Sequence, residues 1–167
     1  PEVALANAYL REFDARVEEV NAEEKAVALD RTAFFPGGGG QPPDLGTLAA
    51  GGGALRVTRV HRREGRIWHV LEGELPAAGA AVHGVLDWER RYALMRTHTA
   101  FHLLCGVVWR DYQAQVTGGN MEPLKGRMDF EFQTLHGDLV HEIEAKLAAE
   151  VAAARPVRVR FLPREDA

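Results

Sequence analysis

Residues Phe34 to Asp44 read Phe-Phe-Pro-Gly-Gly-Gly-Gly-Gln-Pro-Pro-Asp, four successive glycines with one proline before them and two after. Proline fixes φ and lacks the N–H that helices and central strands require, and glycine loses the most backbone freedom on folding. No helix or strand interior runs through such a segment. It is too short, and too closely flanked by aromatic and proline residues, to be a flexible linker of any reach. It is either simply a tight loop or a loop whose glycines let the backbone approach a ligand closely.

The segments on either side read as strands. Ala15 to Val20 and Lys25 to Asp30 are short and β-branched, with Asn21 to Glu24 as a hairpin loop. Gly46 to Ala49, Leu55 to His61, Ile67 to Leu71 and Ala81 to Leu86 follow, with Gly51-Gly52-Gly53 and Arg63-Glu64-Gly65 at the turns. Short strands separated by tight turns predict a small barrel.

After residue 86 the pattern changes to that of a helix. Asp87 is a suitable N-cap and Glu89 suits the first turn. Leu94, His98, Phe101, Cys105 and Val108 recur at helical spacing, which places His98 along a buried stripe and ends the helix near Trp109 or Arg110. Gly118-Gly119 reads as a turn, and Met128, Phe130 and Phe132 alternate as in a strand. Asp138 caps a second helix over Leu139 to Ala154, with Leu139, Ile143, Leu147 and Val151 on one face and Pro156 ending it. Val157, Val159 and Phe161 alternate with Arg158 and Arg160 as a last strand. The class is α+β. Residues 1–86 form a glycine-rich-loop, barrel-like lobe, and residues 87–167 a two-layer lobe with two main helices against a sheet.

No apolar run approaches the ~20 residues of a membrane span. Pro1 to Arg16 carries Glu2, Arg11, Glu12 and Asp14, unlike a signal peptide. The single cysteine, Cys105, excludes an internal disulfide. A soluble cytoplasmic protein is expected. The net charge of −4 argues against indiscriminate nucleic-acid binding. Arg56, Arg59, His61, Arg62, Arg63 and Arg66 nevertheless form one basic stretch, and Arg155, Arg158, Arg160 and Arg164 another, both read as solvated strand edges or hairpin tips.

The chemistry concentrates in Arg96-Thr97-His98-Thr99-Ala100-Phe101-His102-Leu103-Leu104. In a helix, positions i and i+4 stack on one face, so His98 and His102 can share a metal ion, or each can be satisfied by hydrogen bonds. Two ligands are only half of what a tetrahedral zinc site needs. Thr99 stands where a helical zinc peptidase needs its glutamate base, which excludes that reading. Cys105 is a poor third ligand, because three ligands spread over two turns of a straight helix converge badly, and is read as a core residue. Gln41-Pro42-Pro43 supplies neither the Gly-Lys-Ser/Thr nor the helix of a P-loop, so triphosphate binding is excluded.

Taken together, Arg31 to Leu48, Arg96 to Leu104 and Gly126 to Phe130 resemble the editing module of alanyl-tRNA synthetases and, still more closely, its free-standing AlaX-type relatives of medium length. The opening Asn7 to Phe13 is similar to the start of the free-standing proteins. The resemblance covers about Ala8 to Asp166. It implies hydrolysis of the ester in seryl-tRNA(Ala), and of glycyl-tRNA(Ala) as a second substrate, with zinc held by His98 and His102 and the tRNA(Ala) acceptor end as partner. It implies that Thr32 meets the serine hydroxyl and that Gln41, beside Gly38, Gly39 and Gly40, lines the site and holds the carbonyl or the attacking water. The chemistry is consistent: an apolar pocket rejects an added hydroxyl by only about 100-fold, whereas a site that hydrogen-bonds it rejects the analogue lacking it by ~10⁴. The pattern departs at Gly37, commonly acidic or polar in the family, and at Phe35, usually tyrosine. Family members also carry a Cys-x-x-x-His segment with two more zinc ligands after the strand matched by Val157 to Leu162. The sequence stops at Ala167, and we expect it to be part of a longer protein; a natural truncation with weak metal binding and a site completed by a second chain are the other readings. A non-catalytic tRNA-binding module and a metal-dependent esterase of small esters are the competing functions.

Overall fold

A computed structural model of the chain describes residues 2, 7–134, 136–158 and 162–164. Six strands precede the first helix: β1 Glu12–Asn21, β2 Ala26–Leu29, β3 Gly46–Ala50, β4 Gly53–Arg63, β5 Arg66–Glu72 and β6 Ala81–Leu86. They close into a barrel in the order β1-β2-β5-β4-β3-β6. All pairings are antiparallel, and the seam runs from Glu12 opposite Val85 to Arg16 opposite Ala81. The barrel and the α+β class are those predicted.

Alternation decides what fills the barrel. Phe13, Ala15 and Val17 of β1, Leu48 of β3, Leu71 of β5, and Val82 and Leu86 of β6 point into one core with Val27, Ala33 and Phe34. On β4 the inward residues Val57 and Val60 are three apart, because an irregularity between Val57 and Arg59 inserts an extra residue and flips the parity. Ala26, Ala28 and Trp68 form a second cluster on the other face of β2 and β5.

The basic stretch along β4 and β5 is largely neutralised. Arg56 pairs with Glu72, Arg66 with Glu18 and Glu19, Arg62 with Glu2, and Arg63 and His61 with Glu24. The expectation of a solvated hairpin holds, and the partner acids blunt its positive field. In the second stretch Arg155 pairs with Glu150; Arg160 lies outside the described residues.

Helix α1 spans Trp88–Tyr112, two or three residues beyond the predicted end. Asp87 caps it as expected, its Oδ1 accepting the Arg90 N–H at 3.0 Å. His98 is exposed, contrary to the stripe expected for it. The buried line of the first turns runs instead through Arg91, Leu94 and Thr97, where Arg91 meets the buried Asp44 and Thr97 bonds backbone groups of Ala93 and Leu124. Cys105 is half-buried.

Strands β7 Gln115–Glu122 and β8 Lys125–Glu131 form a two-stranded sheet. Gly118-Gly119 lies inside β7 rather than at a turn; the turn is at Pro123-Leu124. Helix α2 spans Leu139–Ala152, ending two residues before the predicted Ala154. Asp138 occupies its N-cap without making the side-chain cap bond expected of it. Of the predicted apolar face only Leu139 is buried; Ile143 and Leu147 are half-buried and Val151 is exposed. Val157 and Arg158 belong to no strand, and 159–161, where that strand was expected to continue, lie outside the described residues. The chain divides into two compact units, Pro1–Thr99 with Gly118–Met128, and Ala100–Thr117 with Asp129–Ala167. No helix among the described residues is long and apolar enough to cross a membrane.

Candidate active site

The glycine-rich loop is fastened at its base by a buried ion pair. Asp44 and Arg91 keep only 1% and 5% of their side-chain surface exposed. Arg91 Nε lies 3.0 Å from both Asp44 oxygens, and its Nη2 also donates to Asp44. The remaining donors reach the carbonyls of Ala33 at 2.6 Å and Ala8 at 3.0 Å. Asp44 Oδ2 in turn accepts the Phe35 N–H at 2.7 Å. A guanidinium has five N–H donors in a fixed fork, so one side chain ties both ends of the loop and the segment before β1 to the first turns of α1. Arg90 adds bonds from Nε and Nη2 to the Pro43 carbonyl at 3.3 Å.

The tip of the loop is a two-residue turn. Gly38 and Gln41 exchange both backbone hydrogen bonds at 3.0 Å, and Gly39 and Gly40 between them have φ of +59° and +83°, the paired positive values of a type I′ turn. Gly40 serves a second purpose. Its carbonyl accepts the Met121 N–H at 2.9 Å, and a Cβ on it would stand 2.6 Å from the Gly119 oxygen. Only glycine allows the loop backbone to lie this close to β7. Thr97 holds the β7–β8 turn from the helix side: its Oγ1 accepts the Leu124 N–H and donates to the Ala93 carbonyl, both at 2.9 Å.

These fastenings bring Gln41 to His98. Gln41 Oε1 and His98 Nδ1 are 2.8 Å apart. An amide oxygen only accepts, so His98 Nδ1 carries the proton and Nε2 is its basic nitrogen. The Gln41 amide is oriented by the same bond, its oxygen toward His98 and its NH₂ group turned away. His102 follows one turn later on α1, exposed, in a hollow lined by Leu103, Gly106, Arg110 and Glu150.

Thr32 makes its bonds elsewhere. It is buried, its Oγ1 lies 2.8 Å from His69 Nε2, and it accepts the Phe34 N–H at 3.1 Å. His69 Nδ1 is 3.1 Å from the carbonyl of Val27, its cross-strand neighbour. Burial lowers the His69 pKa to about 4. Thr32 also lines a cleft of about 300 Å³ with Asp30, Arg62 and Arg66. A wider hollow of about 520 Å³, beside Asp14, Gly52 and His83, contains none of the sequence-predicted residues.

Among the described residues no group of three or more His, Cys, Asp and Glu is placed to hold a metal ion. His98 and His102, one turn apart in sequence on α1, belong to no such group. Burial pushes the Cys105 thiol up, which keeps it from serving as a thiolate nucleophile at neutral pH.

Sequence reasoning missed the Asp44–Arg91 pair and His69. Each left a signal. Arg91 lies three positions before Leu94, on the buried line of α1, and a buried arginine requires an acidic partner. His69 shares the parity of Ile67 and Leu71 on β5, which places a polar ring in the barrel core, where it needs hydrogen-bond partners.

Residues 4–90 match the model of the family described as tRNA synthetases class II (A). An alanine–tRNA ligase of Pyrobaculum aerophilum is 40% identical over 169 residues, 99% of this chain and 19% of the ligase. An alanyl-tRNA editing protein AlaX-M of Methanosarcina barkeri is 38% identical over 166 residues, 95% of this chain and 68% of that protein. The AlaX-M of Saccharolobus solfataricus is 37% identical over 172 residues, 99% of this chain and 70% of that protein. The chain thus spans about a fifth of the ligases' length and about two thirds of the editing proteins' length.

Proposed function

The chain belongs to the tRNA synthetases class II (A) family, with the alanine–tRNA ligases and the AlaX-M editing proteins among its relatives, and from that we propose that it edits alanyl-tRNA by hydrolysing the ester of seryl-tRNA(Ala), with glycyl-tRNA(Ala) as a second substrate. The observation that carries this reading is the 2.8 Å contact between Gln41 Oε1 and His98 Nδ1.

An aminoacyl-tRNA is an activated ester, so water suffices as nucleophile once the carbonyl is polarised and the attack is oriented. With its oxygen committed to His98, Gln41 presents only N–H donors to a substrate. It therefore takes the role of donor to the ester carbonyl, whose oxygen becomes negative as water adds and loses that charge as the ribose oxygen leaves. The I′ turn at Gly39-Gly40 keeps side chains away from the approach beside Gln41. Thr32 is assigned to the serine hydroxyl. His98 and His102 are assigned as zinc ligands; a bound zinc would supply Lewis acidity at the site, and the described residues do not complete its shell. The second reading is a tRNA-binding module without catalysis.

The test is deacylation of seryl-tRNA(Ala) by this chain, with and without chelator, beside its zinc content. The proposal expects turnover that Gln41→Ala lowers by about 100-fold or more, the cost of losing one donor to a developing oxyanion. Thr32→Val is expected to cut seryl-tRNA hydrolysis and leave zinc content unchanged. Binding of tRNA without turnover would move the assignment to the binding module, and turnover of small esters indifferent to tRNA would refute both.

A further inference from the structure

Resting on the assignment of Thr32 to the substrate's serine hydroxyl, we propose that His69 is a positioning residue that makes Thr32 a hydrogen-bond acceptor toward the substrate, so that the site selects a side chain able to donate a proton. The argument is one of donors and acceptors. The Val27 carbonyl, 3.1 Å from His69 Nδ1, has no proton to give, so Nδ1 supplies it. In the neutral ring Nε2 then holds a lone pair, and Thr32 Oγ1, 2.8 Å away, donates its only proton there. A hydroxyl has one proton and two lone pairs. One lone pair is taken by the Phe34 N–H at 3.1 Å, and what Thr32 retains is a single lone pair.

The ring has little freedom to reverse this. His69 is 0% exposed. Phe34 meets it edge-on, with ring centroids 5.4 Å apart and planes at 74°. A ring flip would exchange both nitrogens for carbons and leave the Thr32 proton without its acceptor in the core. Burial keeps the ring neutral at physiological pH, its pKa lowered to about 4, so the polarity of the pair is constant through that range.

The substrate class follows. Serine donates its hydroxyl proton to the waiting lone pair. Alanine sets a methyl group against that lone pair and has nothing to donate; glycine sets no side chain there, so its hydrolysis lies outside this discrimination. 3-Fluoroalanine, close to serine in size, brings a fluorine where serine brings O–H, and falls with alanine rather than with serine. Shape alone would group it with serine.

The experiment compares kcat/KM for tRNA(Ala) charged with serine, 3-fluoroalanine and alanine, using wild type, His69→Phe, His69→Gln and Thr32→Val, with thermal unfolding of each. Wild type is expected to favour serine over 3-fluoroalanine by about 10⁴, the discrimination available to a site that hydrogen-bonds a hydroxyl. His69→Phe releases the Thr32 proton to turn outward, and the ratio is expected to fall at least tenfold. His69→Gln, whose amide can accept from Thr32 and donate to Val27, is expected to restore it. General loosening lowers all three rates together and leaves their ratios alone. In ¹⁵N spectra at neutral pH, His69 is expected as the Nδ1–H tautomer, a readout that needs no turnover and no folded His69→Phe. A folded His69→Phe with the wild-type ratio, or an Nε2–H tautomer, overturns the role of His69. An unchanged ratio in Thr32→Val overturns instead the assignment of Thr32 on which the inference rests.

Discussion

The barrel unit and the second unit use the same polar side chains under opposite conditions. In the first, Arg91, Asp44 and His69 are sealed from water, and Thr32 is buried in the wall of its cleft. In the second, Arg110 bonds Asp111 and Glu150, Lys146 bonds Asp111, and Arg155 bonds Glu150, with most of these side chains at the surface. The surface network moves its own titrations: Arg110 holds Asp111 well below the usual carboxylate range, and Arg110 and Arg155 lower Glu150. Water and salt stand ready to replace any of those bonds. Inside the barrel no replacement exists, and each partner dictates the position and protonation of the other. A bond's importance here follows from what would take its place.

The largest effect should come from breaking the buried pair on one side. Arg91→Ala strands Asp44 without its counter-charge, an effect on the order of 3–5 kcal/mol; urea unfolding should show it, together with loss of Gln41-dependent turnover because the loop base is released. If Arg91→Met with Asp44→Leu recovers much of the stability, the pair's task is placement rather than strength. The second effect is on pH. An unfolded imidazole takes up its proton near 6.5 and folded His69 only near about 4, so between those values the unfolded state binds more protons. Stability is therefore full above about pH 6.5 and declines as pH falls toward about 4, by roughly 3 kcal/mol in all. Denaturation at pH 7 and pH 4.5 should give a difference that His69→Gln flattens. The smallest effect belongs to the surface: Glu150→Gln should leave the unfolding midpoint and the deacylation rate where they were. A large loss there would break the contrast between the two units.

Much of this was legible in the sequence. The six barrel strands, the barrel and the starts of both helices were readable from alternation, turn residues and helical spacing, whereas the Gly118-Gly119 segment of β7 was expected to be a turn. The Gly37–Gly40 run announced a tight approach. The failures share a cause, which is that the deciding partner is distant in sequence. Gly118-Gly119 looks like a turn by composition, yet both lie in β7, where the Arg127 carbonyl, 2.9 Å from where a Cβ on Gly119 would be, leaves no room for a side chain. The exposed placement of His98 depends on Arg91 and Thr97 occupying the buried line of α1, and both are there only because Asp44 and the β7–β8 turn come to meet them. The bond from Gln41 to His98 joins residues that no local pattern relates.

The closed barrel also sets an order of events in folding. Its seam joins Glu12 to Val85, a pairing of great sequence separation, and contacts of that range form slowly because the intervening chain must first be gathered. His69 meets Val27 only when β5 has paired with β2, and the inward set is enclosed only when β6 reaches β1. A nascent chain that has emerged only as far as β5 can therefore pair Val27 with His69 but has no sealed core to hold Thr32 in place. If Thr32 reads the substrate side chain as proposed, that reading is acquired only when the last strand arrives.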